Sequence, residues 1–194
     1  GKFPERTAQQ VFEEYLKNNP NVKSEKTANW SVLGPAASDG GYAGIGRVNC
    51  VAFHPTDNDT YWIGAPAGGL WVTTDNGSNW TCLTDQNGVL GISDIAIPSD
   101  YETSNTIYIA TGDRDASDNR SIGVLKSTDG GATWQTTAIS YSLTQNRMTY
   151  RLLLDPNDDN TLLASTSSGV FKPTDGGATW NTQIGTVGFI DMEY

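Results

Sequence analysis

The chain has 194 residues, 22 of them acidic and 12 basic, for a net charge of −10. That balance lacks the basic footprint of a nucleic-acid binder, and no run of about 18 apolar residues is present to span a membrane. The length suffices for one sizeable core. No secretory leader is recognisable, and the Asn, Asp, Thr and Gly content with few Lys suits a secreted or cell-surface protein.

Residues 4–18 read as a helix. Pro4 and Glu5 suit a first turn, and Val11, Phe12, Tyr15 and Leu16 form an apolar stripe that Asn18-Asn19-Pro20 ends. Residues 1–28 are thus a helix followed by a polar linker at 21–28. From 29 to 194 the pattern is β. The segment ANWSVL at 28–33 matches SNWTCL at 78–83, so 29–34 reads as an outer strand without a sheet of its own. A first four-stranded unit spans about 44–85, with strands at 46–54, 60–65, 69–74 and 80–84. A second spans about 90–139, with strands at 91–98, 106–111, 122–127 and 134–138. A third spans about 147–185, with strands at 148–155, 161–166, 169–173 and 180–184. VGFIDMEY at 187–194 then reads as an inner strand with no unit after it. HPTDND at 54–59 and DPNDDN at 155–160 are turn signals between first and second strands.

One motif recurs in register: TTDNGSNW at 73–80, STDGGATW at 127–134 and PTDGGATW at 173–180. From Trp80 to Trp134 is 54 residues and from Trp134 to Trp180 is 46, about the length of a four-stranded propeller blade. Each copy is a strand-turn-strand. Asp75, Asp129 and Asp175 fold a carboxylate back onto turn N–H groups. Gly77, Gly131 and Gly177 supply a positive φ. Trp80, Trp134 and Trp180 open the next strand and pack on the neighbouring sheet. The expected fold is all-β, a partial β-propeller of about three blades with an N-terminal helix. Propellers typically need 4–8 blades, so the chain reads as part of a longer protein. Its expected partner is the rest of the propeller or a second copy.

The motif resembles the Asp-box, or bacterial neuraminidase repeat, which in that family is a structural clasp on the hairpin between third and fourth strands. The wider run GRVNCVAFHP, YWIGAPAGGLW and the box resembles secreted bacterial proteins of the sortilin-like and xyloglucanase-like propeller superfamily over residues 29–194. That resemblance implies xyloglucan-cleaving hydrolases, sialidases, peptide receptors or surface proteins without chemistry. In the xyloglucan-cleaving members a catalytic Asp precedes the third strand; here Pro66 occupies that place. Glycoside hydrolysis usually needs two carboxyl groups, and Asp94 and Asp113 are the local alternatives. Arg47 sits in GRVN rather than in the Arg-Ile-Pro of sialidases. His54, the one histidine, precedes Pro55 in a turn and is not expected to be catalytic. No catalytic residue is expected in this chain, and the resemblance implies a glycan or protein ligand.

One loop exceeds the turn minimum: GDRDASDNRS at 112–121, between second and third strands of the second unit. Such elaborations are often functional. Asp113, Asp115 and Asp118 either supply oxygens to Ca²⁺ or pair with Arg114 and Arg120 in a solvated network, which the spacing favours. No other metal or cofactor is expected. Asn49, Asp94, Tyr150 and Arg151 near inner strands, with Tyr141 and Arg147 in a connecting loop, complete the candidate binding face. Cys50 and Cys82 lie on the innermost and outermost strands of the first unit. Three spacings of about 4.8 Å separate them, beyond disulfide reach, so two free, mostly buried thiols are expected.

Overall fold

The computed structural model describes residues 8–18, 46–115, 119–179, 183–185, 188 and 192. The chain divides into two units, 1–45 and 46–194. In the first, α1 covers Ala8–Asn18, and Val11 and Tyr15 are half-exposed. Residues 4–7 of the expected helix, the linker and the 29–34 strand lie outside the described residues. So do Asp118, Trp180 and most of 187–194.

In the second unit the described residues form three four-stranded antiparallel sheets, each with its strands in chain order. The first holds β1 (Cys50–Phe53), β2 (Tyr61–Ala65), β3 (Gly69–Thr73) and β4 (Thr81–Cys82). The second holds β5 (Ile92–Ala96), β6 (Ile107–Thr111), β7 (Gly123–Ser127) and β8 (Gln135–Ser140). The third holds β9 (Thr149–Asp155), β10 (Asp158–Thr166), β11 (Gly169–Phe171) and β12 (Gln183–Ile184). The fold is a partial β-propeller.

Alternating side chains bury each sheet against the next. Trp62, Leu70, Ile95, Ile109 and Leu125 fill the seam between first and second sheets. Tyr108, Val124, Leu152 and Ala164 fill the seam between second and third. Among the described residues of this unit no sheet covers the first sheet's other face, and on β1 Val51 and Phe53 are 51% and 64% exposed.

The Asp turns share one geometry. Asp75 Oδ1 accepts the Asn79 N–H at 2.8 Å and Oδ2 accepts Asn79 Nδ2 at 2.6 Å. Asp129 takes the Thr133 N–H at 2.9 Å and its hydroxyl at 2.6 Å, and Asp175 does the same with Thr179 at 3.0 and 2.6 Å. In the first two copies Thr73 or Ser127 also donates to the Asp and accepts the N–H of Gly77 or Gly131. Pro173 has no hydroxyl, so the third copy lacks that clasp. Positive φ is required at two positions, not one: Asn76 and Gly77, Gly130 and Gly131, Gly176 and Gly177. The first of each pair donates its N–H to the carbonyl of Asp59, Asn105 or Asn160, stitching the turn to its own first–second strand connection.

These turns also seat each sheet on the one before. Trp134 Nε1 donates to the Leu83 carbonyl at 3.0 Å. Tyr108 Oη and Lys126 Nζ donate to the Gly176 carbonyl at 3.0 and 3.2 Å. Trp80 differs from the sequence expectation. No earlier sheet lies among the described residues for it to dock on, and its ring meets Tyr61 of its own sheet edge-on at 5.4 Å, 36% exposed.

Hydrogen bonds from Thr133, then Ser127, hold the Asp129 carboxyl down at about 2, and Asp75 and Asp175 are lowered for like reasons. A carboxylate whose folded pKa is depressed contributes stability above its unfolded pKa, and loses it as pH falls through the folded value. The melting temperature should therefore fall between pH 3.8 and about 2. Asp129→Asn should flatten that limb in a pH series of melting curves; an unchanged limb would remove Asp129 from the acid transition.

Candidate functional site

First–second and third–fourth strand connections share the face of the Asp turns. Thr56 Oγ1 donates to Glu102 at 2.6 Å, and Ser99 donates through its N–H and Oγ to Asp159 at 2.8 and 2.7 Å, joining neighbouring connections there. His54 belongs to this face. Its Nδ1 accepts the N–H groups of Thr56 and Asp57 at 3.3 and 3.0 Å, and its ring stacks on Trp62. The histidine is used up in shaping the turn. Sequence reasoning did not anticipate the short helix α2 (Tyr101–Ser104), whose Tyr101 ring meets Trp62 and His54 edge-on at 5.1 and 5.0 Å.

The candidate binding residues gather on the opposite face. Asp113 is buried, forms an ion pair with Arg47, and accepts Asn49 Nδ2 at 3.4 Å. Arg114 Nη2 donates to the Asn49 carbonyl at 3.0 Å, and Asn119 Nδ2 to the Pro66 carbonyl at 2.6 Å. The long loop of the second sheet is thus a strap over the first sheet. Within it Arg114 lies 3.7 Å from Asp115. The expected internal network is therefore corrected in part: Asp113 pairs with Arg47, 66 positions away, because the strap folds backwards, and Arg120 takes no part. Asp118 is outside the described residues. Among the described residues no group of three His, Cys, Asp or Glu side chains is placed to hold a metal, and Arg47 beside Asp113 opposes a cation there.

A second buried carboxylate, Asp94, stands at the middle of the inner strand β5. Its Oδ2 accepts the Leu152 N–H at 2.8 Å, with Arg151 Nε at 3.7 Å. Burial raises its pKa, opposed by the Leu152 hydrogen bond and then by Arg151. Cys50 lies close by, its thiol pushed up to about 12 by burial and then by the Asp94 charge. Cys50 and Cys82 are free but only half-buried, not mostly buried as expected. Tyr150 is half-buried and Arg147 exposed.

The strap's base is fixed by buried hydroxyls. Ser121 Oγ lies 3.2 Å from Thr111 Oγ1 and 2.9 Å from Thr149 Oγ1, and the Ser121 N–H donates to the Arg147 carbonyl at 3.2 Å. Beside it opens a pocket of about 380 Å³, lined by Ala67, Val89, Leu90, Asn119, Arg120 and Leu143. It draws on four different loops, of which the sequence indicated the one that carries Asn119 and Arg120.

A propeller with a polar inner face and a loop-side pocket is an architecture that hosts both hydrolases and binding proteins. Comparison narrows the class. The chain is similar to a xyloglucanase from Paenibacillus sp., 31% identical over 133 residues, 62% of this chain and 12% of that protein. It is 30% identical over 133 residues to the xyloglucanase Xgh74A of Acetivibrio thermocellus, covering 63% of this chain and 16% of that one. Among solved structures it is similar to an ancestral GH74 enzyme, with TM-score 0.58 and 26% identity over 69% of this chain and 18% of that one. It is also similar to the GH74 xyloglucanase of Xanthomonas campestris, with TM-score 0.53 and 25% identity over 70% and 20%. No protein-family model matches. The chain thus spans less than a fifth of the curated relatives' length, and the relation to xyloglucanase-like propellers holds over that stretch. Among the described residues no helix is long and apolar enough to cross a membrane.

Proposed function

We propose that this chain is a glycan-binding, non-catalytic portion of a secreted xyloglucanase-like β-propeller, with its three Asp turns serving as Asp-boxes that seat successive blades. Similarity to xyloglucanases supports a polysaccharide ligand over a protein one. The observation that carries the non-catalytic reading is the commitment of the two loop-face carboxylates. Asp113 is neutralised by Arg47 and Asp94 is held by the Leu152 N–H, so neither is free to face a scissile bond. Pro66 offers no carboxyl between them. Three blades do not close a ring, so the open face at Val51 and Phe53 is assigned to the remaining blades. No cofactor is required by this reading.

A second reading rests on Asp94. A buried carboxyl with a raised pKa has the property of a general acid, which would make this chain part of a hydrolase site. Calorimetric titration with xyloglucan oligosaccharides, followed by a reducing-end assay on the same mixtures, separates the two. Saturable binding without new reducing ends is expected. Turnover that disappears in Asp94→Asn would establish the second reading instead.

A further inference from the structure

The 22 acidic side chains outnumber the 12 basic ones, and Arg47, Arg114 and Arg151 each have a carboxylate partner. Arg120 and Arg147 do not: among the described residues no hydrogen bond or ion pair engages either guanidinium. Both are exposed, and they flank the backbone hydrogen bond from Ser121 to the Arg147 carbonyl. Two arginines whose guanidinium groups have no partner among the described residues therefore meet at one backbone hydrogen bond on an acidic protein. Their backbone is not loose, since the Ser121–Thr149 hydroxyl contact at 2.9 Å is fully buried.

Arg120 lines the pocket of about 380 Å³, at the lower end of the range for small ligands. Its walls are apolar at Val89, Leu90 and Leu143, with Leu90 41% exposed. Asn119 spends its amide N–H on Pro66, and its Oδ1 accepts nothing among the described residues, so an acceptor remains for a hydroxyl. The pocket thus offers an apolar wall for a ring face, an acceptor for a hydroxyl, and a guanidinium fork suited to a carboxylate.

We infer that this pocket binds the carboxylate of an acidic sugar, a uronic acid residue within a glycan, with Arg120 in its wall as the counter-charge. The inference rests on the glycan-binding reading above and narrows it, because a neutral sugar would leave the Arg120 guanidinium unused.

The test titrates the 194-residue chain with a galacturonate trisaccharide, the same trisaccharide with its carboxyl groups reduced to alcohols, and a neutral xyloglucan oligosaccharide. The acid should bind about tenfold more tightly than its reduced form, the scale of a charge-assisted hydrogen bond, and should weaken as salt is raised. Arg120→Gln should cost about tenfold for the acid and leave the reduced form unchanged. The melting temperature should not move, as the side chain is exposed. Equal affinity for acid and reduced trisaccharide, or an Arg120→Gln variant with unaltered acid binding, would overturn the inference. If the neutral oligosaccharide binds in that case, the glycan-binding reading survives. If no sugar binds, both fall. A peptide that binds through its free C-terminal carboxylate and is lost on amidation, with no binding of the acid, would also overturn the inference.

Discussion

Replacing Gly123 with alanine is expected to unfold the second sheet. Gly123 has φ +101°, where an L side chain is strained. A Cβ there would fall on the Ile139 carbonyl oxygen, 2.7 Å from the Ile139 carbonyl carbon and 2.9 Å from Ser140 Cα. Those atoms are backbone of β8, the partner strand in register at Gly123–Ser140, so no rotamer change relieves the overlap. The Gly123 carbonyl also accepts Thr111 Oγ1 at 2.7 Å, and its N–H donates to Ser121 Oγ at 2.9 Å. Moving this backbone therefore disturbs the hydroxyl cluster under the strap as well. A loss of about 4 kcal/mol or more is expected, against a total of roughly 5–15 for a typical domain. The melting temperature should drop by about 10 °C or more, or the variant should be recovered unfolded. Gly46→Ala is the control. Nothing lies within 4 Å of a Cβ there, and its melting curve should match that of the parent. A stable Gly123→Ala variant would contradict the β7–β8 geometry.

Trp62→Ala is expected to cost about 3–5 kcal/mol in chemical denaturation. Trp62 is 1% exposed and sits between His54 and Tyr101, binding the first sheet to α2 of the second. Its Nε1 has no hydrogen-bond partner among the described residues. Phenylalanine removes that unpaired donor while keeping an aromatic ring, so Trp62→Phe should lose about 1–2 kcal/mol only. Equal losses for the two substitutions would mean that the indole N–H is satisfied and that packing is not what the position provides.

The fold was legible because its signals are local and repeated. Asp75, Asp129 and Asp175 sit four residues before the N–H groups they cap, and the Trp spacing counts the blades. Even there, the second positive-φ position was hidden, since Asn76 looks unlike Gly130 and Gly176. The candidate site was less legible. The strap at 112–121 was visible as an extra length of polar sequence, but its purpose was not. Asp113 pairs with Arg47 and Asn119 with Pro66 across a blade seam, and neither separation follows from a local pattern. Acidic residues that look like ligands in the sequence are anchors in the structure. Arg120 and Arg147, which the sequence placed in two separate loops, become neighbours through one backbone hydrogen bond. Tyr101 was missed for the same reason: its contact with Trp62 belongs to the seam.

The central claim is that the face opposite the Asp turns binds a glycan. Amide chemical shifts of the isotope-labelled chain, followed while a bound oligosaccharide is titrated, test it most directly. Shifts confined to Val89, Leu90, Asn119, Arg120 and Arg147 and their neighbours are expected. Shifts centred on the turns at 75–80 and 129–134, or no saturable shift at all, would contradict it.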